Sequence, residues 1–180
     1  MLEIRVPETE WYDESTNEFN TIKSQALRLE HSLVSISKWE AKWEKPYLSK
    51  EKKTNEEILD YIRCMTLTQN VDPRIYLCIP EHELERVAAY LDSKQTATTI
   101  RRPPSRPGPA PIITSEVIYH MMITYNIPIE FQKWHINRLL TLIQVCDIKS
   151  GNGPKMTRKE VIETNKAINE ANRKKFQTKG

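Results

Sequence analysis

The stretch EFQKWHINRLLTLIQVC, residues 130–146, is the most apolar run in the chain with helical spacing. Phe131, Trp134, Leu139, Leu140, Ile143 and Cys146 line one broad face of the helix it predicts. Just before it, Thr114 and Ser115 are suited to cap a helix carrying Ile118, Met121, Met122 and Tyr125, which Asn126 and Pro128 end. Two apolar helices joined by a turn predict a helical hairpin over 112–148. A hairpin of about 35 residues is small for a core of its own. It therefore packs back on residues 1–92, or it buries itself against another subunit or partner.

Upstream, Leu2, Ile4 and Val6 share one face at period two, and Pro7 stops that strand. A polar turn follows through Asp13, Glu14, Ser15, Thr16 and Asn17, after which Leu27 and Leu29 alternate with Ala26 and Arg28. The pattern predicts a small antiparallel sheet that must lean on something apolar. The next helix, LVSISKWEAKWEK (33–45), has Ser32 as its cap and Pro46 as its stop, with Trp39 and Trp43 four residues apart on one face. Thr54 and Glu57 form a capping box for a helix with Ile58, Tyr61 or Ile62, and Met65 on its apolar stripe, ending near Gln69 and Asn70. Asp72 before Pro73 starts a short turn, and Pro80 starts a helix with Leu84, Val87 and Leu91 in phase. The fold class expected is mostly α, of α+β type: a small N-terminal antiparallel β element on a helical body, then a helical hairpin and a basic terminal helix.

Charge is segregated along the chain. Residues 1–92 sum to about −6 and 112–148 to about −1, whereas 93–111 carry +4 and 149–180 carry +6, within a net +3. RRPPSRPGPAP, inside 93–111, excludes regular structure and reads as a spacer or as a proline-rich recognition peptide. The basic tail contains Lys155, Arg158, Lys159, Arg173, Lys174 and Lys175. It reads as a solvated extension, a docking element for an acidic protein surface, or a weak nucleic-acid contact.

Catalytic and metal-site patterns are missing from the sequence. With 4 glycines, loops that cradle phosphates have little to work with. Cys64, Cys78 and Cys146 have no paired spacing and suit a reducing interior. His31, His82, His120 and His135 never stand four apart on a helix, and Cys146 lies too far along its helix from His135 for a nucleophile and its base. No finger, aromatic sheet motif or recognition helix supports nucleic-acid binding. Nor does any apolar run approach the length of a membrane span. These features predict a soluble, intracellular, non-enzymatic chain without cofactor or metal.

Three segments carry a resemblance: LRLEHSLVSISKWEAKWEKPYLSK (27–50), ILDYIRCMTLTQNVDP (58–73) and ITSEVIYHMMITYNIPIEFQKWHINRLLTLIQVC (113–146). Together with the lysine-rich C-terminus they resemble a group of tailed-bacteriophage proteins, which in turn are similar in size and helical character to the tail assembly chaperones of long-tailed phages. The resemblance implies a protein of the host cell cytoplasm that binds the helical tape-measure protein, keeps it soluble and helps tail-tube protein polymerise around it. It transfers no catalytic residue. On local chemistry the partner-binding surface is then Trp39 and Trp43 on one helix with Met121, Met122, Trp134, Leu139, Leu140 and Ile143 in the hairpin, aided by the basic tail. Self-association through the hairpin, as in a permanent virion part such as a tail-completion or connector component, is the main alternative. A basic nucleic-acid-binding module is a lesser one.

Overall fold

A computed structural model describes residues 1–13, 17–100, 112–151, and 162, 166, 169, 170 and 173. The fold is mostly helical, with short N-terminal antiparallel strands packed against a helical body. Strand β1 (Leu2–Val6) pairs with β4 (Gln25–Leu29), placing Leu2 opposite Leu29 and Ile4 opposite Leu27. The inward residues Ile4, Val6, Leu27 and Leu29 are buried, as the period-two pattern requires. Between these strands, β2 (Thr9–Asp13) and β3 (Glu18–Ile22) make a second hairpin, whereas the sequence had suggested only a turn. Asn17, just before β3, stands at φ 57, a left-handed conformation that asparagine tolerates.

Both edges of the β1–β4 pair are occupied. The Arg5 N–H donates to the Glu83 carboxylate at 3.2 Å, and the Arg86 guanidinium donates to the Glu3 carbonyl at 3.1 Å. On the β4 side, the Glu30 N–H donates to the Met65 carbonyl at 2.9 Å and the Leu67 N–H to the Arg28 carbonyl at 2.8 Å. Residues after Met65 are therefore drawn alongside the sheet. That pairing ends helix α2 (Asn55–Met65) before the Gln69–Asn70 boundary expected from sequence.

Local signals fix the other helix starts. In α1 (Leu33–Trp43) the Ser32 hydroxyl accepts from the Ser35 N–H and the Ser35 hydroxyl accepts from the Ser32 N–H. Thr54 and Glu57 form the corresponding box of α2. Asp72 caps a 3-10 turn over Pro73–Cys78, and α3 spans Glu81–Asp92. Helix α4 covers Ser115–Thr124, a second 3-10 turn covers Ile129–Lys133, and α5 covers Ile136–Lys149.

The hairpin helix is thus not continuous from Glu130. It breaks at Trp134 and His135, because this pair is held to the rest of the protein. Residue His135 bridges Ser32 in strand fashion, and the Ile136 N–H donates to the His31 carbonyl at 2.7 Å. The His135 Nδ1 caps α5 by accepting the Asn137 N–H at 3.3 Å. Ile118, Ile136 and Leu139 then join Ile4, Leu29 and Ile36 in one apolar core.

Candidate functional site

The expected partner surface divides sharply by burial. Trp39, Met122, Leu139 and Ile143 are buried in the core, with Leu139 at 0% exposure. Their side chains are thereby withdrawn from any surface a partner could reach. The physical reason is that α1 packs directly on α4 and on the 3-10 turn Ile129–Lys133, so the apolar faces of body and hairpin cover one another. Trp43, Met121, Trp134 and Leu140 lie half-buried at the margin of this contact. Of the basic residues, Arg173 is helical and exposed, while Lys155, Arg158, Lys159, Lys174 and Lys175 lie outside the described residues, as does the whole of RRPPSRPGPAP.

Polar groups lock the same seam. The buried Glu40 carboxylate accepts the Tyr47 N–H at 2.8 Å with one oxygen and the Ser115 N–H at 2.7 Å with the other. It thereby holds the chain after α1 and places a negative charge at the N-terminus of α4, where helix dipole and free N–H groups favour it. Buried His31 sits 2.5 Å from the Tyr61 hydroxyl, and its ring centroid lies 5.0 Å from that of His135. Burial, and then the neighbouring His135, push the His31 pKa down to about 3. Burial also lowers His135, whose Nε2 donates to the Tyr90 carbonyl at 3.1 Å. With Nδ1 accepting at the helix cap, His135 is held as a single neutral tautomer.

The two tryptophans serve as anchors. The Trp39 indole donates to the Glu57 carbonyl and that of Trp43 to the Asp60 carboxylate, both at 2.9 Å. Lys45 and Lys42 complete this margin, each 2.6 Å from its carboxylate, Glu57 and Asp60 respectively.

Open apolar surface lies instead on the other side of α2. A groove of about 650 Å³ runs between α2, the 3-10 turn Pro73–Cys78 and α3. Ile58, Leu59, Leu77, Leu84, Ala88 and Leu91 form its walls, over a floor that includes Tyr61, Ile62, Tyr76 and Val87. Ile58 is 44% exposed and Leu77 62% exposed. The sequence pattern places Leu84, Val87 and Leu91 on one stripe of α3. In the structure α3 turns Glu83, Val87 and Tyr90 inward, which leaves Leu84 and Leu91 half-buried at the groove. Glu83 is the missed signal: a carboxylate in phase with Val87 and Tyr90 is a buried acceptor for strand and arginine donors, here Arg5 and Arg86.

Among the described residues, no group of three or more His, Cys, Asp or Glu side chains is placed to hold a metal ion. The thiols of Cys64, Cys78 and Cys146 are free, and burial raises the Cys64 pKa, which works against a reactive thiolate. The groove presents hydrocarbon, ring faces and few polar groups. Its chemistry suits the burial of an apolar ligand face.

No family model, curated protein or solved structure matches the chain. The description of the chain as a bacteriophage viral-tail-assembly protein accordingly has no relative to rest on. It is corrected to what the findings carry: a helical fold with, among the described residues, no helix long and apolar enough to cross a membrane.

Proposed function

We propose that the chain is a non-enzymatic assembly chaperone that captures an amphipathic helical segment of a client protein and releases it. The observation that carries this reading is the open groove between α2 and α3, whose walls expose leucine and isoleucine while the core beneath is complete. A client helix with an apolar stripe would exchange water for these side chains, which is the common mode of helix-in-groove recognition. The capture site is the groove; the hairpin residues, being largely enclosed, support the body that presents it. The client this groove fits is a protein with an amphipathic helix whose apolar stripe is otherwise exposed to water.

A wall of exposed rather than deeply enclosed leucines favours exchange, because a competing partner can begin to displace the client at Leu77 and Ile58 without unfolding the chaperone. Co-expression with a protein that exposes such a helix tests the reading. A soluble complex is expected, and Ala88→Arg, which places a long charged side chain on the exposed groove wall, is expected to abolish it. Two folded proteins that neither associate nor change one another's solubility would overturn the assignment.

A second reading rests on a different surface. Ile123 and Ile129, 75% and 55% exposed, lie at the turn end of the hairpin and would suit a permanent contact between subunits. Stable self-association abolished by Ile123→Asp, with the groove variant still associated, would favour that structural role.

A further inference from the structure

We propose that Lys53 selects the client: the groove takes an amphipathic helix that carries a carboxylate beside its apolar stripe, and that carboxylate pairs with the Lys53 ammonium. This inference rests on the chaperone reading and adds the charge of the ligand to it.

The argument begins with the cations around the groove. A neighbouring pocket shares Leu59, Tyr76 and Leu77 with it and is edged by Lys42, Arg63 and Arg74. Each of these has a carboxylate partner. Lys42 and Arg63 meet Asp60 at 2.6 and 3.7 Å, and Arg74 meets Asp72 at 2.7 Å. Lys45, which lines a small pocket together with Lys53, meets Glu57 at 2.6 Å.

Lys53 differs from all four. It lines the groove itself and is half-buried, and no carboxylate among the described residues lies within ion-pairing distance of it. Its ammonium instead rests 4.7 Å from the Tyr47 ring centroid and 5.9 Å from that of Trp39. Ring faces attract a cation but leave its N–H donors without acceptors. Glu57, which pairs with Lys45 and accepts the Thr54 N–H, and Glu51, which also lines the groove, both act on the Lys53 ammonium electrostatically, but neither forms an ion pair with it. Burial pulls the Lys53 pKa below its ordinary value, so the ammonium stands partly dehydrated in this position. A carboxylate arriving on a ligand would find an unpaired donor already stripped of part of its water, and the aromatic faces would hold that donor in place.

The test uses the full chain and synthetic amphipathic helices with leucine at i, i+3, i+4 and i+7, differing at one position flanking the stripe, Glu, Gln or Lys. Affinity for the Glu peptide is expected to exceed that for the Gln peptide about tenfold, the scale of a charge-assisted pair in partly dehydrated surroundings. Lys53→Gln should remove the difference, Lys53→Arg should keep it, and Lys53→Glu should turn the preference toward the Lys peptide. Equal affinity of the unaltered chain for Glu and Gln peptides, with binding still abolished by Ala88→Arg, would overturn the role of Lys53 and leave the groove standing. Binding unaffected by Ala88→Arg, or no binding of any of the peptides, would overturn the groove and the inference together.

Discussion

The hairpin and the α2–α3 groove carry comparable apolar stripes, yet one is sealed and the other open. In the hairpin, Ile118, Met122, Ile136, Leu139 and Ile143 are all buried, because α1 and the strands supply a matching apolar face. Along the groove, Ile58, Leu59, Leu77, Leu84 and Leu91 meet no such face among the described residues. Amphipathicity says that a helix has a face to cover. Long-range pairing decides what covers it, and here the edge contacts of β1 and β4 orient α2 and α3 so that their leucines flank a channel.

The largest effects should come from opening the sealed side. Leu139→Ala removes a fully buried side chain at the seam and is expected to lower stability by about 2–5 kcal/mol in chemical denaturation. A loss under about 1 kcal/mol would mean that the hairpin contributes little to the body, and the contrast with the groove would fail. Glu40→Ala attacks the same seam through its polar lock. Two backbone N–H groups, those of Tyr47 and Ser115, would lose their acceptor, so a loss of about 2–4 kcal/mol is expected. Glu40→Gln, which keeps one carbonyl acceptor, should cost less than the alanine variant.

Much of this architecture is readable from local sequence, because caps and turns depend on neighbours. Ser32, Thr54 with Glu57, and Asp72 before Pro73 start their elements where their side-chain chemistry requires. The break at His135 is different in kind. It follows from contacts with His31 and Ser32 about a hundred positions earlier, and no window of sequence around Trp134 contains them. The groove was hidden for the same reason. Leu84, Val87 and Leu91 are in phase, but so are Glu83, Val87 and Tyr90, and only the docking of Glu83 on β1 determines which set faces inward. Glu40 offered a fainter signal, since it stands in phase with Leu33 and Ile36, where a charged residue is either exposed or fully hydrogen-bonded.

Acid should act on the sealed side before it acts on the groove. His31 is neutral in the folded protein down to about pH 3, against an ordinary value of 6.5, so between those limits the unfolded chain binds more protons than the native one. Stability is therefore fully present above pH 6.5 and falls as pH decreases toward the folded value. The slope approaches about 1.4 kcal/mol per pH unit for this one group. His135 shifts in the same direction and adds to the fall. Denaturation midpoints measured from pH 7 to 5 should show this slope, and His31→Asn should flatten it; an unchanged slope would place the titrating group elsewhere. The depressed Asp60 and Glu57 carboxylates add their own acid losses only lower, as pH falls below the ordinary carboxylate range.

The smallest expected effect is the most discriminating. Leu77→Gln replaces a leucine that is 62% exposed on the groove wall, makes no cavity and orphans no buried donor. Its effect on folding stability should stay within about 0.5 kcal/mol, the range of ordinary surface changes. Client affinity should nevertheless fall, because the same leucine would lose its apolar contact in the bound state. Stability and binding are thereby separable at Leu77 and inseparable at Leu139. A loss of stability at Leu77 comparable to that at Leu139 would mean that the groove is covered by part of this chain in solution, and the open side would then be a second sealed one.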